Sequence, residues 1–180
     1  MEIVNTKLIP ALDRTGAAFE KGTLFLPQLI QAAGAAQAAF DVIRSSLAAG
    51  GGTVSRGKIV LATVKGDIHD IGKNIVKVLL QNYGYTVIDL GRDVDPKAVA
   101  EAALRYKADL VGLSALMTTT LKSMEQTIAM LRSECAQHGL PVKIMVGGAV
   151  LTPDYAEKIG ADYYAKDAKE SVDIAKRVIG

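Results

Sequence analysis

Lys58-Ile59-Val60-Leu61-Ala62-Thr63-Val64, running on through Lys65-Gly66 to Asp67-Ile68-His69-Asp70-Ile71-Gly72, is the stretch that decides the fold. Its first half is a nearly continuous apolar run, the pattern of a strand covered on both faces. A helical pattern opens near Asn74, so one imidazole and its neighbouring carboxylates fall in the loop at the carboxyl end of a strand. In open α/β sheets that edge is where ligands bind. The loop is not a dinucleotide fingerprint, because G-x-G-x-x-G is missing. It is not a Walker loop either, since Gly66 and Gly72 have the wrong spacing and no Gly-Lys-Ser/Thr follows. What remains is a histidine with an aspartate two positions earlier. That pair suits a metal-ligating imidazole whose other nitrogen is held by a carboxylate.

Outward from this stretch, residues 58–64, 85–90, 109–114, 142–146 and 162–165 read as strands. The helices between them have clear punctuation. Gly84 follows the first, Asp95-Pro96 opens the second as N-cap and first-turn proline, and Thr152-Pro153 and Gly160 bound the fourth. Strands alternating with helices predict a parallel, doubly wound sheet over residues 58–180. Residues 1–48 read instead as an alanine-rich pair of helices. Leu8, Leu12 and Phe19 share a face of the first, with Ile9 alongside. Pro27 sits in the first turn of the second, whose apolar stripe is Leu29, Ile30, Ala33, Ala36, Phe40, Ile43 and Leu47. Residues 49–57, rich in glycine, have the composition of a flexible linker.

Composition limits the function classes. At 180 residues, 49% of them apolar, the chain can build one ordinary domain and a small appendage. The net charge is +2, with Lys and Arg scattered, which argues against nucleic acid or an anionic membrane as partner. No run approaches a membrane span and no signal pattern opens the chain, so a cytoplasmic protein is expected. The single cysteine, Cys135, excludes an internal disulfide.

Asp67-x-His69-x-x-Gly72 resembles the signature of cobalamin-binding domains. Gly112-Leu113-Ser114-Ala115-Leu116 and Val146-Gly147-Gly148-Ala149 fit the same family in order and distance, and the likeness extends to Phe25-Leu26-Pro27-Gln28. The chain is most similar to the cobalamin module of methionine synthase and to the corrinoid proteins of methyltransferase systems. The resemblance implies a Rossmann-like sheet of flavodoxin-like order, 2-1-3-4-5, behind a short helical cap. Strands 1 and 3 would then flank the switch point, and the loops 67–72 and 114–120 would face one crevice.

The resemblance also implies roles. His69 would be the lower ligand of the cobalt, with Asp67 accepting from its other nitrogen and Thr120, where methionine synthase has serine, completing a relay. Asp70, Gly72, Ser114, Leu116, Thr118, Gly147, Gly148 and Tyr164 would border the slot for the corrinoid's nucleotide tail, with Tyr163 of second rank. Phe25 would shield the upper corrin face from the cap. The family's cap is a four-helix bundle, and the chain opens at Met1-Glu2 where such a cap would already be under way, so a fragment of a larger polypeptide is one expectation. The function implied is methyl carriage on cobalamin, with cobalt cycling between Co(I) and methyl-Co(III). Methyltetrahydrofolate as donor and homocysteine as acceptor are favoured; methylamine, methanol or methoxyaromatic systems are the alternatives. Partners would be methyl-donor and methyl-acceptor methyltransferase domains or subunits and a separate reactivation protein; the module would not be a complete catalyst alone. An adenosylcobalamin mutase domain and a non-enzymatic cobalamin sensor are the rival readings.

Overall fold

The computed structural model describes residues 3–48 and 55–180; the greater part of the expected linker, and Met1-Glu2, lie outside the described residues. Five strands, β1 (Lys58–Thr63), β2 (Thr86–Asp89), β3 (Leu110–Ser114), β4 (Lys143–Gly147) and β5 (Tyr163–Ala165), form one sheet in the order β2-β1-β3-β4-β5. Every pairing is parallel. The expected order is therefore the one observed, with the switch point between β1 and β3. The register brings Thr63, Ser114, Gly147 and Ala165 side by side at the carboxyl edge. The expected first strand stops one residue early, and Val64 instead bridges Val94.

Alternation along the buried strands divides the core in two. Val60, Ala62, Val111, Leu113, Ile144 and Val146 face one side. There they meet α4 (Pro96–Tyr106), α5 (Leu121–Gln137) and α6 (Pro153–Lys158). Ile59, Leu61, Leu110 and Met145 face the other, toward α3 (Ile71–Asn82) and α7 (Ala168–Ile179). The caps form as their sequences require. Asp95 accepts from the Lys97 amide at 3.0 Å, and Thr152 from the Tyr155 amide at 3.2 Å.

The amino-terminal hairpin comprises α1 (Ile9–Glu20) and α2 (Leu26–Ala48). A π-helical turn, Val4–Leu8, precedes α1, next to Pro10, which lacks the N–H a continuous α-helix would use. Leu12, Leu29 and Ala36 are buried against Leu79 and Tyr83, and Ile43 packs on the same cluster. Each buried leucine contributes about 1.5–3 kcal/mol. Ile30, expected on the apolar stripe, is exposed. The side chains of Ala33, Phe40 and Leu47 lie outside the described ones. Tyr83 donates its hydroxyl to Asp13 at 3.0 Å, and Lys176 reaches the same carboxylate. The hairpin is thus fastened along α3 and α7: Asp13 ties it to their carboxyl-terminal ends, and Gly16 lies against the Lys169 side chain in the first turn of α7.

Candidate functional site

Asp67 organises the ligand edge. Its side chain is fully buried, yet five donors converge on it. Oδ1 accepts the His69 backbone amide at 3.0 Å and pairs with His69 Nδ1 at 2.9 Å. Oδ2 accepts the amides of Leu116 at 2.7 Å and Met117 at 3.2 Å, and the Thr120 hydroxyl at 3.0 Å. Burial alone would push this carboxyl up. The His69 and Leu116 amides, helped by the His69 and Thr120 side chains, overcome it and hold the group well below the usual carboxylate range. An ionised carboxylate only accepts, so His69 Nδ1 carries the proton and the Nε2 lone pair is left to a ligand. No protein group bonds Nε2 among the described residues, and the ring is half-exposed at the mouth of a cavity.

The three side chains expected to form a relay are joined by hydrogen bonds through Asp67. Thr120, which sequence alone would make a helix cap, makes no side-chain cap bond at the start of α5. Its single hydroxyl proton is shared between Asp67 and the Met117 carbonyl, 2.8 Å away.

The cavity has a volume of about 790 Å³ and lies between the sheet and the helices α3 and α7. That is within the size of small-molecule and cofactor sites. Leu61, Gly112 and Met145 floor it from the sheet, Ile75 and Val76 wall it from α3, and Ser171 from α7. Asp70, Gly72, Ser114, Leu116, Gly147, Gly148 and Tyr164 line it as the sequence led one to expect. Ser114 Oγ is tied to Thr63 Oγ1 at 2.8 Å, and the Tyr164 hydroxyl donates to the Leu151 carbonyl at 3.2 Å. At the rim Ile68, Ile71 and Leu116 are exposed by 59%, 78% and 43%. These apolar side chains are what a broad hydrophobic ligand would cover.

Two glycines are required by close packing beside the cavity. Gly148 has φ 142°, where a side chain is strained, and a Cβ there would stand 1.8 Å from the Ala115 carbonyl oxygen. At Gly112 a Cβ would stand 2.6 Å from Leu61 Cδ2, at the cavity floor.

Two expected positions do not join the site. Thr118 is exposed at the start of a 3-10 turn and is not on the cavity wall. Phe25 is 68% exposed and also off the wall. Its backbone amide is capped by Gln28 Oε1 at 2.8 Å, so Phe25-Leu-Pro-Gln28 starts α2. The hairpin that carries Phe25 packs on the α3 and α7 side of the sheet. Conversely, Lys73, Arg92, Met145 and Ser171 line the cavity although no local pattern distinguishes them. Gly112 did carry a signal: a glycine inside a strand marks close approach by something else.

Among the described residues no group of three or more His, Cys, Asp or Glu could hold a metal ion. His69 offers one imidazole nitrogen beside a deep, largely apolar slot. The residues present therefore fit a corrinoid: one imidazole at the mouth, an apolar rim, and a slot lined by glycines.

The fold and site define a Rossmann-like corrinoid-binding domain. A family model described as the B12 binding domain matches residues 57–173, and a second B12 binding domain model matches residues 1–44. The chain belongs to the B12-binding domain family, as a cobalamin-binding module of the methyltransferase corrinoid type. It is 44% identical over 178 residues to dimethylamine corrinoid protein 2 of Methanosarcina mazei, covering 99% of this chain and 82% of that one. A solved cobalamin-binding protein from Desulfitobacterium hafniense superposes with a TM-score of 0.79 at 34% identity, over 94% of this chain and 78% of that one. The methanol:cobalamin methyltransferase complex of Methanosarcina barkeri superposes with a TM-score of 0.81 at 28% identity, over 99% of this chain and 67% of that one.

Proposed function

We propose that this protein is the corrinoid methyl carrier of a methylamine-type methyltransferase system, with dimethylamine as the favoured source of the methyl group. The observation that carries it is His69, whose Nε2 is free at the mouth of the cavity while Asp67 and Thr120 fix the ring from behind. A single imidazole suits a metal that brings its remaining ligands with it. A corrinoid bound there supplies a cobalt able to accept and hand on a methyl group. The chain's own residues do the rest. His69 offers a neutral nitrogen of fixed tautomer, Asp67 holds that tautomer, the rim covers apolar surface, and the glycine-lined slot receives the tail.

The choice of methyl donor is supported by the relative's name, a dimethylamine corrinoid protein. This replaces the methionine synthase-like expectation of methyltetrahydrofolate and homocysteine. Methanol is the second reading, favoured by the likeness to the methanol:cobalamin methyltransferase complex. That complex also supports docking on separate methyltransferase subunits. A separate reactivating protein completes the proposal. No described helix is long and apolar enough to cross a membrane.

The test mixes the protein with methylcobalamin, desalts it in the dark and records the absorption spectrum. Retained cofactor with a histidine-ligated spectrum is expected, and His69→Ala should keep its fold and lose that ligation. Demethylated carrier, chemically reduced to Co(I) and supplied with a dimethylamine:corrinoid methyltransferase, should be remethylated by dimethylamine, with methylamine released, and not by methyltetrahydrofolate. Well-folded protein that retains no corrinoid would refute the carrier role.

A further inference from the structure

Lys73, in the first turn of α3, is a charged side chain only 4% exposed, and it lines the cavity. Its ammonium donates to Asp89 Oδ1 at the end of β2, a residue off the cavity wall, and to Asn74 Oδ1 at 3.2 Å. Asp89 is gripped from several sides. The Gly91 amide donates to Oδ1 at 2.9 Å, and Lys77, one helical turn further along α3, to Oδ2 at 3.1 Å. Gly91 in turn accepts from the Thr63 amide at 3.0 Å, which ties the cluster to the end of β1.

This fastening lies at a helix start that lacks a side-chain cap, since Asp70, at the N-cap of α3, makes no such bond. The loop 67–72 runs directly into that turn, so whatever fixes the turn fixes the approach of His69. A buried ion pair is a poor source of net stability, because desolvation offsets its attraction and an apolar pair of similar volume serves as well. Its use here points to position. We infer that Lys73 is a positioning residue for the corrinoid site, pinning the first turn of α3 to the end of β2 through Asp89 and so holding the His69 loop in its ligating place. The inference rests on the corrinoid-binding reading of the site.

The decisive variant is Lys73→Met. It keeps the stem on the cavity wall and removes the ammonium. Asp89 retains Lys77 and the Gly91 amide, so no carboxylate is orphaned and the fold should persist. In the protein without cofactor, the amides of Asn74, Ile75 and Val76 should exchange about tenfold faster while those of Val60 and Leu113 in the sheet keep their protection. Methylcobalamin should bind about tenfold more weakly, the lower end of what loss of outer support costs at metal sites. The fraction with a histidine-ligated spectrum should also fall at saturation. Lys73→Arg should restore both readings. Lys77→Met, which touches the same carboxylate one turn further from the loop, should leave both near wild type. A merely structural lysine would instead lower the melting temperature and speed exchange everywhere, without changing ligation in the loaded protein. Wild-type exchange and wild-type ligation in Lys73→Met would overturn the inference; if that variant does not fold, Lys73→Gln is read in the same way. Failure of the wild-type protein to bind methylcobalamin would refute the carrier role instead, and the exchange comparison would still decide whether Lys73 pins α3.

Discussion

Asp67 holds the His69 ring through one carboxylate oxygen, at 2.9 Å, and the Thr120 hydroxyl through the other, at 3.0 Å. The three side chains form one line from the base of α5 to the mouth of the cavity. Thr120→Val breaks the far end of that line with little change of shape. Oδ2 keeps the Leu116 and Met117 amides, and the Met117 carbonyl keeps the Thr120 amide at 3.1 Å. The variant should therefore fold, at a cost of about 1 kcal/mol in urea unfolding. Methylcobalamin affinity should fall several-fold in spectroscopic titration, and Thr120→Ser should recover it. Unchanged affinity in the valine variant would remove Thr120 from the site.

Gly72 and Gly148 both line the cavity, but they answer different demands, and alanine separates them. At Gly148 the backbone conformation alone costs about 1–3 kcal/mol for any other residue. The added Cβ also meets the Ala115 carbonyl. Gly148→Ala should thus lower the urea midpoint strongly. At Gly72, in the first turn of α3, a Cβ meets no atom within 4 Å. Alanine also favours a helix by up to about 1 kcal/mol over glycine. Gly72→Ala should be at least as stable as wild type, while its methyl group, projecting into the slot, weakens methylcobalamin binding. Equal corrinoid affinity in wild type and Gly72→Ala would show that the tail does not pass this helix start.

These contrasts mark where the sequence was legible. Val60 and Leu61 alternate between the two cores by the plain geometry of a strand, and Asp95 caps its helix because the acceptor lies two residues from the donor. The pairing of Asp67 with His69 is equally local. The contact between Asp67 and Thr120 spans 53 residues, so resemblance, and no spacing rule, made it visible. Lys73 was hidden because its burial depends on β2 passing beside α3. For Phe25 the family motif fixes where a helix starts and leaves open what its exposed ring meets.

Asp162 supplies a pH dependence remote from the cavity. Burial pushes its carboxyl up, but the Ile144 amide at 2.8 Å, Arg132 and Lys143 bring it below the ordinary range. With the folded value depressed, the unfolded chain binds more protons in acid. The contribution is complete above the unfolded value near pH 4 and disappears as pH falls through the folded one. Asp162→Asn should therefore be about 1–2 kcal/mol less stable at pH 7. The difference should shrink below about pH 4 when urea unfolding is followed across pH. A difference that stays constant down to pH 2 would assign the effect to packing.

The hairpin gives the last contrast, between Leu12 and Phe25. Leu12 is 5% exposed and sits against α3, whereas Phe25 is 68% exposed and does not line the cavity. Leu12→Ala should cost about 2–5 kcal/mol, with a cavity left against Leu79 and Tyr83. It should also loosen the hairpin, seen as faster amide exchange along α1. Phe25→Ala should change stability by less than about 0.5 kcal/mol, as at other exposed positions. It should leave the spectrum and retention of methylcobalamin unchanged, because the ring does not line the cavity. A Phe25→Ala variant that binds normally but loses its methyl–cobalt bond faster to light or water would overturn that expectation. It would mean that the hairpin leaves the flank of α3 and closes over the mouth once the cofactor is in place.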